Sequence, residues 1–248
     1  MSVEFFVYMA LGGIAGGFVN GFAGTGTALF AIGFFLVVAE PKTAVAVVAL
    51  LAVLSGLQGV WVVRREIIEY KVRLLLFLLP GVVGVPIGIM LLDDLNPAAL
   101  RILVAALLIT YGAYFGLRNA LPAIERKMPL VDGSVGLLGG ILGGLASLSG
   151  ALPTIWLSMR PWPKEQTRAV LQPYNMTILS FTVCMLALGG AYNSITFKGL
   201  AVALPTGILA AQLGVSVFKK VSDIQFRRVL ILLCLGLGIA MLAREIAA

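Results

Sequence analysis

The chain has 248 residues, of which 60% are hydrophobic and only 12% charged, and it carries a formal net charge of +7. A mean hydropathy of +1.05 lies far from soluble domains, in which about a quarter of residues are charged. The composition therefore indicates an integral membrane protein and leaves no room for a soluble catalytic domain or a nucleic-acid module.

Taken in chain order, the charge-free runs include Phe5–Ala39, Thr43–Val63, Leu74–Leu92, Gly133–Met159, Ala169–Phe197 and Gly199–Phe218. About 20 apolar residues cross a hydrocarbon core, so each run is a candidate for the bilayer. Met1–Glu4 lacks the basic start of a cleavable signal and the first run exceeds a signal-peptide core, so that run is expected to stay in the mature chain. Asn96-Pro97 reads as an N-cap followed by proline at the first helical position, and Ser222-Asp223 opens the matching helix near the C-terminus. Cys184 and Cys234 lie in apolar stretches as packing residues, and with no histidine in the chain neither a metal site nor a cofactor is expected.

Two of the runs are interrupted by glycine-rich stretches, Gly16 to Thr27 and Gly139 to Gly150. Irregular backbone at membrane depth is tolerated only where protein, water or a ligand satisfies its amides, and transporter sites are built from such broken helices. After the breaks the chain regains helical character at Thr25-Gly26-Thr27 and at Ser147-Leu148-Ser149-Gly150. The hydroxyl residues are expected to be N-caps of two returning arms that begin near the midplane, aiming free N–H groups and positive dipole ends at one small anion. The predicted lining is Asn20, Gly24, Thr25, Gly26 and Thr27 from the first break and Ser147, Ser149 and Gly150 from the second. Arg168, Gln172 and Asn175 are added from the next helix, whose first turns also hold Tyr174, Thr177 and Ser180. Gln212 and Ser216 either line the path or bond between helices; Tyr111, Trp156 and Tyr192 are read as interfacial or packing residues. The competing explanation for the glycines is close helix packing alone.

The chain also repeats itself. A shift of 123 positions matches Gly16, Gly17, Gly21 and Ala23 with Gly139, Gly140, Gly144 and Ala146; further on Leu79-Pro80 pairs with Leu204-Pro205, and Gly88, Arg101 and Gly112 pair with Gly214, Arg227 and Gly238. If every apolar segment simply crosses, giving eight spans, Lys and Arg divide nine against nine between the two faces, which a positive-inside bias would not produce. If each broken run enters and leaves on one face, the division becomes fourteen against four. The expected fold is therefore all-α and membrane-embedded, with two inverted repeats, each a broken, re-entrant hairpin plus three spans, and both termini outside. The units are residues 1–120, a cytoplasmic linker 121–130 and residues 131–248.

No Asp or Glu falls inside these runs, so a carboxylate proton relay has no evident carrier. An interior-negative potential of about 100 mV favours exit of an anion by about 2.3 kcal/mol per charge, which leans toward export. An embedded enzyme would need a nucleophile with its base, or a metal cluster, and the chain offers neither.

The two glycine motifs, Pro41-Lys42 and the stretch from Arg160 to Asn175 resemble the sulfite exporter TauE/SafE family of bacterial inner-membrane permeases over essentially the whole chain. The resemblance implies a non-enzymatic transporter that exports a small sulfur-containing anion, such as sulfite, a sulfonate or a related organic acid, across the cytoplasmic membrane. Its partners are then that anion and the bilayer, and a homodimer is compatible with it. An anion channel, or a membrane scaffold without transport, is the alternative.

Overall fold

The computed structural model describes residues 2–23, 26–62, 64–117, 124–162, 164–218, 220 and separate positions between 232 and 246. Ser222-Asp223 and Cys234 lie outside the described residues. Within them the chain is helical throughout: α1 (Val3–Ala23), α2 (Thr27–Val38), α3 (Pro41–Val62), α4 (Arg64–Glu69), α5 (Lys71–Asp94), α6 (Pro97–Leu117), α7 (Pro129–Ala146), α8 (Ala151–Ser158), α9 (Lys164–Leu188) and α10 (Ser194–Phe218). Among the described residues five helices are long and apolar enough to cross a membrane, in α1, α5, α7, α9 and α10. The short α4 was not anticipated from sequence, and α7 begins inside the segment expected to be linker.

Helix ends follow local chemistry. Asn96 accepts the Ala99 amide at 2.7 Å, with Pro97 opening α6, as the sequence predicts. Pro80, Pro86, Pro173 and Pro205 sit inside helices, which neighbouring helices allow in a membrane protein by satisfying the freed backbone groups.

The first glycine-rich run folds back on itself. Gly12 faces Phe35 and Gly16 faces Ala31 and the Thr27 carbonyl, so α2 returns antiparallel along α1. With 12 residues, α2 is about 18 Å long at 1.5 Å per residue, short of a core of about 30 Å. The second run does the same: Gly139 and Gly143 of α7 face Ser149, and Gly139 also meets Pro153 of α8.

Two tight joints hold these hairpins. Along α1, Gly13, Gly17 and Gly21 meet the backbone of Ala203, Gly207 and Ala211 on α10; along α7, Gly136, Gly140 and Gly144 meet that of Phe77, Gly81 and Val85 on α5. Gly214 returns the contact against Phe18, and Gly88 against Ile141. Both joints are parallel, and between α5 and α10 the offset is 126 throughout. Pro80 is thus level with Thr206, and the Leu79-Pro80 match with Leu204-Pro205 is displaced by one residue. Small residues at such joints let helix backbones approach where lipid supplies no hydrophobic drive between helices.

At the centre α3 runs antiparallel to α9, with Lys42 beside Gly189 and Gly56 beside Met176. The Tyr192 hydroxyl, after α9, donates to the Ala46 carbonyl at 3.0 Å. Burial pushes this phenol well above its ordinary pKa, so it stays a donor. Ala44 through Ala49 of α3 are fully buried, whereas Leu79, Val83 and Met90 of α5 and Leu209 and Leu213 of α10 are exposed. The inner pair is thus α3 with α9, and α5 and α10 turn apolar faces outward, as lipid contact requires.

Candidate functional site where the two helix breaks meet

The second break begins with a left-handed cap on α7. Leu148 N–H donates to the Leu142 carbonyl at 3.0 Å and Ser147 N–H to the Gly143 carbonyl at 2.9 Å. Ser147 occupies the left-handed position usually taken by glycine, with φ 58. Its hydroxyl donates across to the Val45 carbonyl of α3 at 3.0 Å, a buried bond that offsets some of the backbone strain. The first break closes on Gly26, also left-handed at φ 100.

The expected hydroxyl caps are not formed. The N-caps of α2 and α8 are Gly26 and Gly150, which have no side chain to offer. Ser149, fully buried, instead donates its hydroxyl to Asn175 Oδ1 on α9, and Ser147 is committed to Val45. Thr27 is the first residue of α2, already inside the helix. Gly24 and Thr25 lie outside the described residues.

Both breaks open on one cavity of about 40 Å³. A single water needs about 10–15 Å³ measured this way, so the space suits a few waters or one small anion. Gly26, Thr27 and Ala28 line it from the first break; Ser147, Leu148, Gly150, Ala151 and Thr154 line it from the second; Asn175 enters from α9 and Tyr111 from α6. Polar side chains come from both halves, Thr27 and Tyr111 from the first and Ser147, Thr154 and Asn175 from the second, and Val19, Ala28, Leu29, Phe30 and Ala52 with Leu148, Ala151 and Leu179 supply the apolar surface. Among the described residues no charged side chain lines the cavity.

Other predicted residues lie elsewhere. Asn20 is turned to α3, its amide donating to Ser55 Oγ at 2.6 Å, and is not among the cavity's lining. Gln172 is buried and partnered, also away from it. The Arg168 side chain is outside the described residues. Gln212 and Ser216 are exposed, and Ser216 bonds back to the Gln212 carbonyl of its own helix at 2.9 Å. Two polar lining residues were missed: Tyr111, read as interfacial or packing, and Thr154, whose only signal was its place in the first turn after the break.

A second polar cluster was also missed. Asp132, in the first turn of α7, and Arg160, just beyond α8, are both buried and pair at 3.1 Å. Trp156 donates its indole N–H to the same carboxylate oxygen at 2.6 Å, and the guanidinium lies 4.7 Å from the Trp156 ring. Arg160 also donates to the carbonyls of Ile124 and Arg126. Arg160, counted from sequence as a surface charge, thus closes the mouth of the second hairpin, and a carboxylate does stand within an apolar helix.

The family model described as sulfite exporter TauE/SafE matches residues 9–241, a span that contains both breaks, the cavity lining and both joints. The chain belongs to the TauE/SafE family. No curated protein and no solved structure matches it. TauE/SafE membership, with five helices able to span a bilayer, makes this a multi-pass membrane protein of an anion-exporter family rather than of an enzyme family.

Proposed function

We propose that this TauE/SafE chain is a secondary carrier through which a small sulfur-containing anion, sulfite, a sulfonate or a related organic acid, leaves the bacterial cytoplasm, and that its site is the cavity between the two breaks. The single observation that carries this is that two helix starts from separate halves of the chain, Gly26-Thr27 and Gly150-Ala151, line the same small cavity. Helix N-termini present backbone N–H groups and a positive dipole end, which favour an anion without any fixed cation. Asn175, with Oδ1 occupied by Ser149, has its Nδ2 to offer, and Thr27 and Thr154 add hydroxyls. A site whose described lining holds no lysine or arginine binds weakly enough to let its guest leave, as conduction requires.

In this reading the halves are inverted repeats and alternate access by rocking about the cavity. Support comes from the antiparallel course of the counterpart helices α3 and α9 and from the reciprocal joints of α1 with α10 and α7 with α5. The charge distribution supports the cytoplasmic position of the loops carrying Arg64 to Arg73 and Arg126 to Lys127, and hence termini on the outer face.

Sulfite-loaded proteoliposomes test the proposal. An interior-negative potential should accelerate sulfite release, and Thr27→Val combined with Asn175→Leu should slow it about tenfold or more, the loss of roughly one or two hydrogen bonds to a charged group. Unchanged flux in a folded double variant would contradict the site.

A further inference from the structure

The N-terminal end of α5 carries a feature that the transport site does not use. α4 is a six-residue helix between two long apolar ones, with Ile67 packed inward beside Leu74, Tyr70 and Trp162. Ile68 and Val72 point outward, 71% and 68% exposed, and continue the exposed apolar stripe of Leu79 and Val83 along α5. Arg73 is held against two rings, 4.6 Å from the centre of Trp162 and 5.8 Å from that of Tyr70. Stacking fixes the plane of the guanidinium but leaves the N–H donors at its edge available. Among the described residues no carboxylate pairs with Arg73, nor with the exposed Arg65 and Lys71; the nearby Glu69 and Glu125 are exposed and form no ion pair there either.

We propose that this junction binds the phosphate of an anionic phospholipid. An oriented guanidinium fork matches phosphate oxygens in a bidentate manner. Lys71 and Arg65 supply further positive charge, and the apolar Ile68–Val72 step below them receives the acyl chains. Tyr and Trp at the same level are the side chains that favour a membrane–water boundary. A soluble phosphate compound would account for the cations but would leave the apolar step uncovered. Because Trp162 belongs to the segment leading from α8 into α9, a bound headgroup ties the start of α5 to the exit of the second hairpin. The inference rests on membrane embedding alone and is independent of what the cavity carries.

The test uses the full chain purified in detergent, with native mass spectrometry and thermal unfolding after addition of phosphatidylglycerol, phosphatidylcholine or inorganic phosphate. Phosphatidylglycerol should remain bound and raise Tm by several degrees, and the other two should not, since a ligand that binds only the folded form stabilises it. Arg73→Gln with Lys71→Gln should abolish the increment, whereas Lys198→Gln, an exposed charge on α10, should keep it. If the Arg73 variant does not fold, Arg65→Gln with Lys71→Gln, which leaves the ring stack intact, should still reduce retention of phosphatidylglycerol. Equal effects of the two lipids, an equal effect of free phosphate, or full lipid preference in the charge variants would each overturn the proposal.

Discussion

Asp132→Ala is expected to destabilise the protein by about 3–5 kcal/mol, the cost of leaving a buried charge without its partner. The Asp132 and Arg160 side chains are only 11% and 3% exposed. Removing the carboxylate strands the guanidinium and also takes the acceptor from the Trp156 indole. Arg160→Ala should cost a similar amount, because it frees the Ile124 and Arg126 carbonyls as well. The pair Asp132→Leu with Arg160→Met should recover most of the loss, since a well-packed apolar replacement avoids the desolvation of both charges. Denaturant unfolding in mixed micelles gives these differences, and hydrogen exchange should locate the loosening in α7 and α8. If the single variants unfold like the wild type, the cluster is not what closes the second hairpin. The counterpart positions under the 123-residue shift, Met9 and Val37, are apolar, so the first hairpin has no such pair there and should be insensitive to the same treatment.

Gly140→Leu is expected to prevent folding or to lower Tm severely. A Cβ at Gly140 would run into the carbonyl of Gly81, and one at Gly17 into that of Gly207. Backbone atoms cannot rotate aside as a side chain does, so the two helices would have to separate along their whole joint. The cost should exceed the 1–3 kcal/mol of ordinary overpacking. Gly56→Ala is the control: its Cβ would sit 3.9 Å from Met176 Sδ, an ordinary contact, and the variant should unfold close to wild type. A Gly140→Leu protein with unaltered Tm would mean that the α5–α7 joint is not packed as described.

The spans and both breaks were legible from sequence because they depend on local properties: length of apolar run, density of glycine, and the repetition of both. The orientation of side chains was not. A helix that is apolar all round has no polar face to fix its rotation, so nothing local told Asn20, which turns to Ser55, from Thr27, which reaches the cavity. Capping was misread for a related reason. Ser147, Ser149 and Thr27 look like N-caps, but the amide ends are kept open by glycines while Ser147 and Ser149 bind α3 and α9. Asp132 and Arg160 stood 28 positions apart, one at the edge of an apolar run and one in a basic loop. Only the folded hairpin shows that its two ends meet. Tyr111 had no local mark at all, since an aromatic residue in an apolar helix reads equally as core, lipid belt or ligand wall.

The central claim is that one anion touches both breaks at once, and thiol protection measures this most directly. With Cys184 and Cys234 replaced by alanine, Thr27→Cys and Thr154→Cys are introduced singly and labelled with a maleimide in the presence of rising methanesulfonate. Protection of both positions with the same half-effective concentration is predicted. Protection of one alone, or of neither, would contradict a shared site.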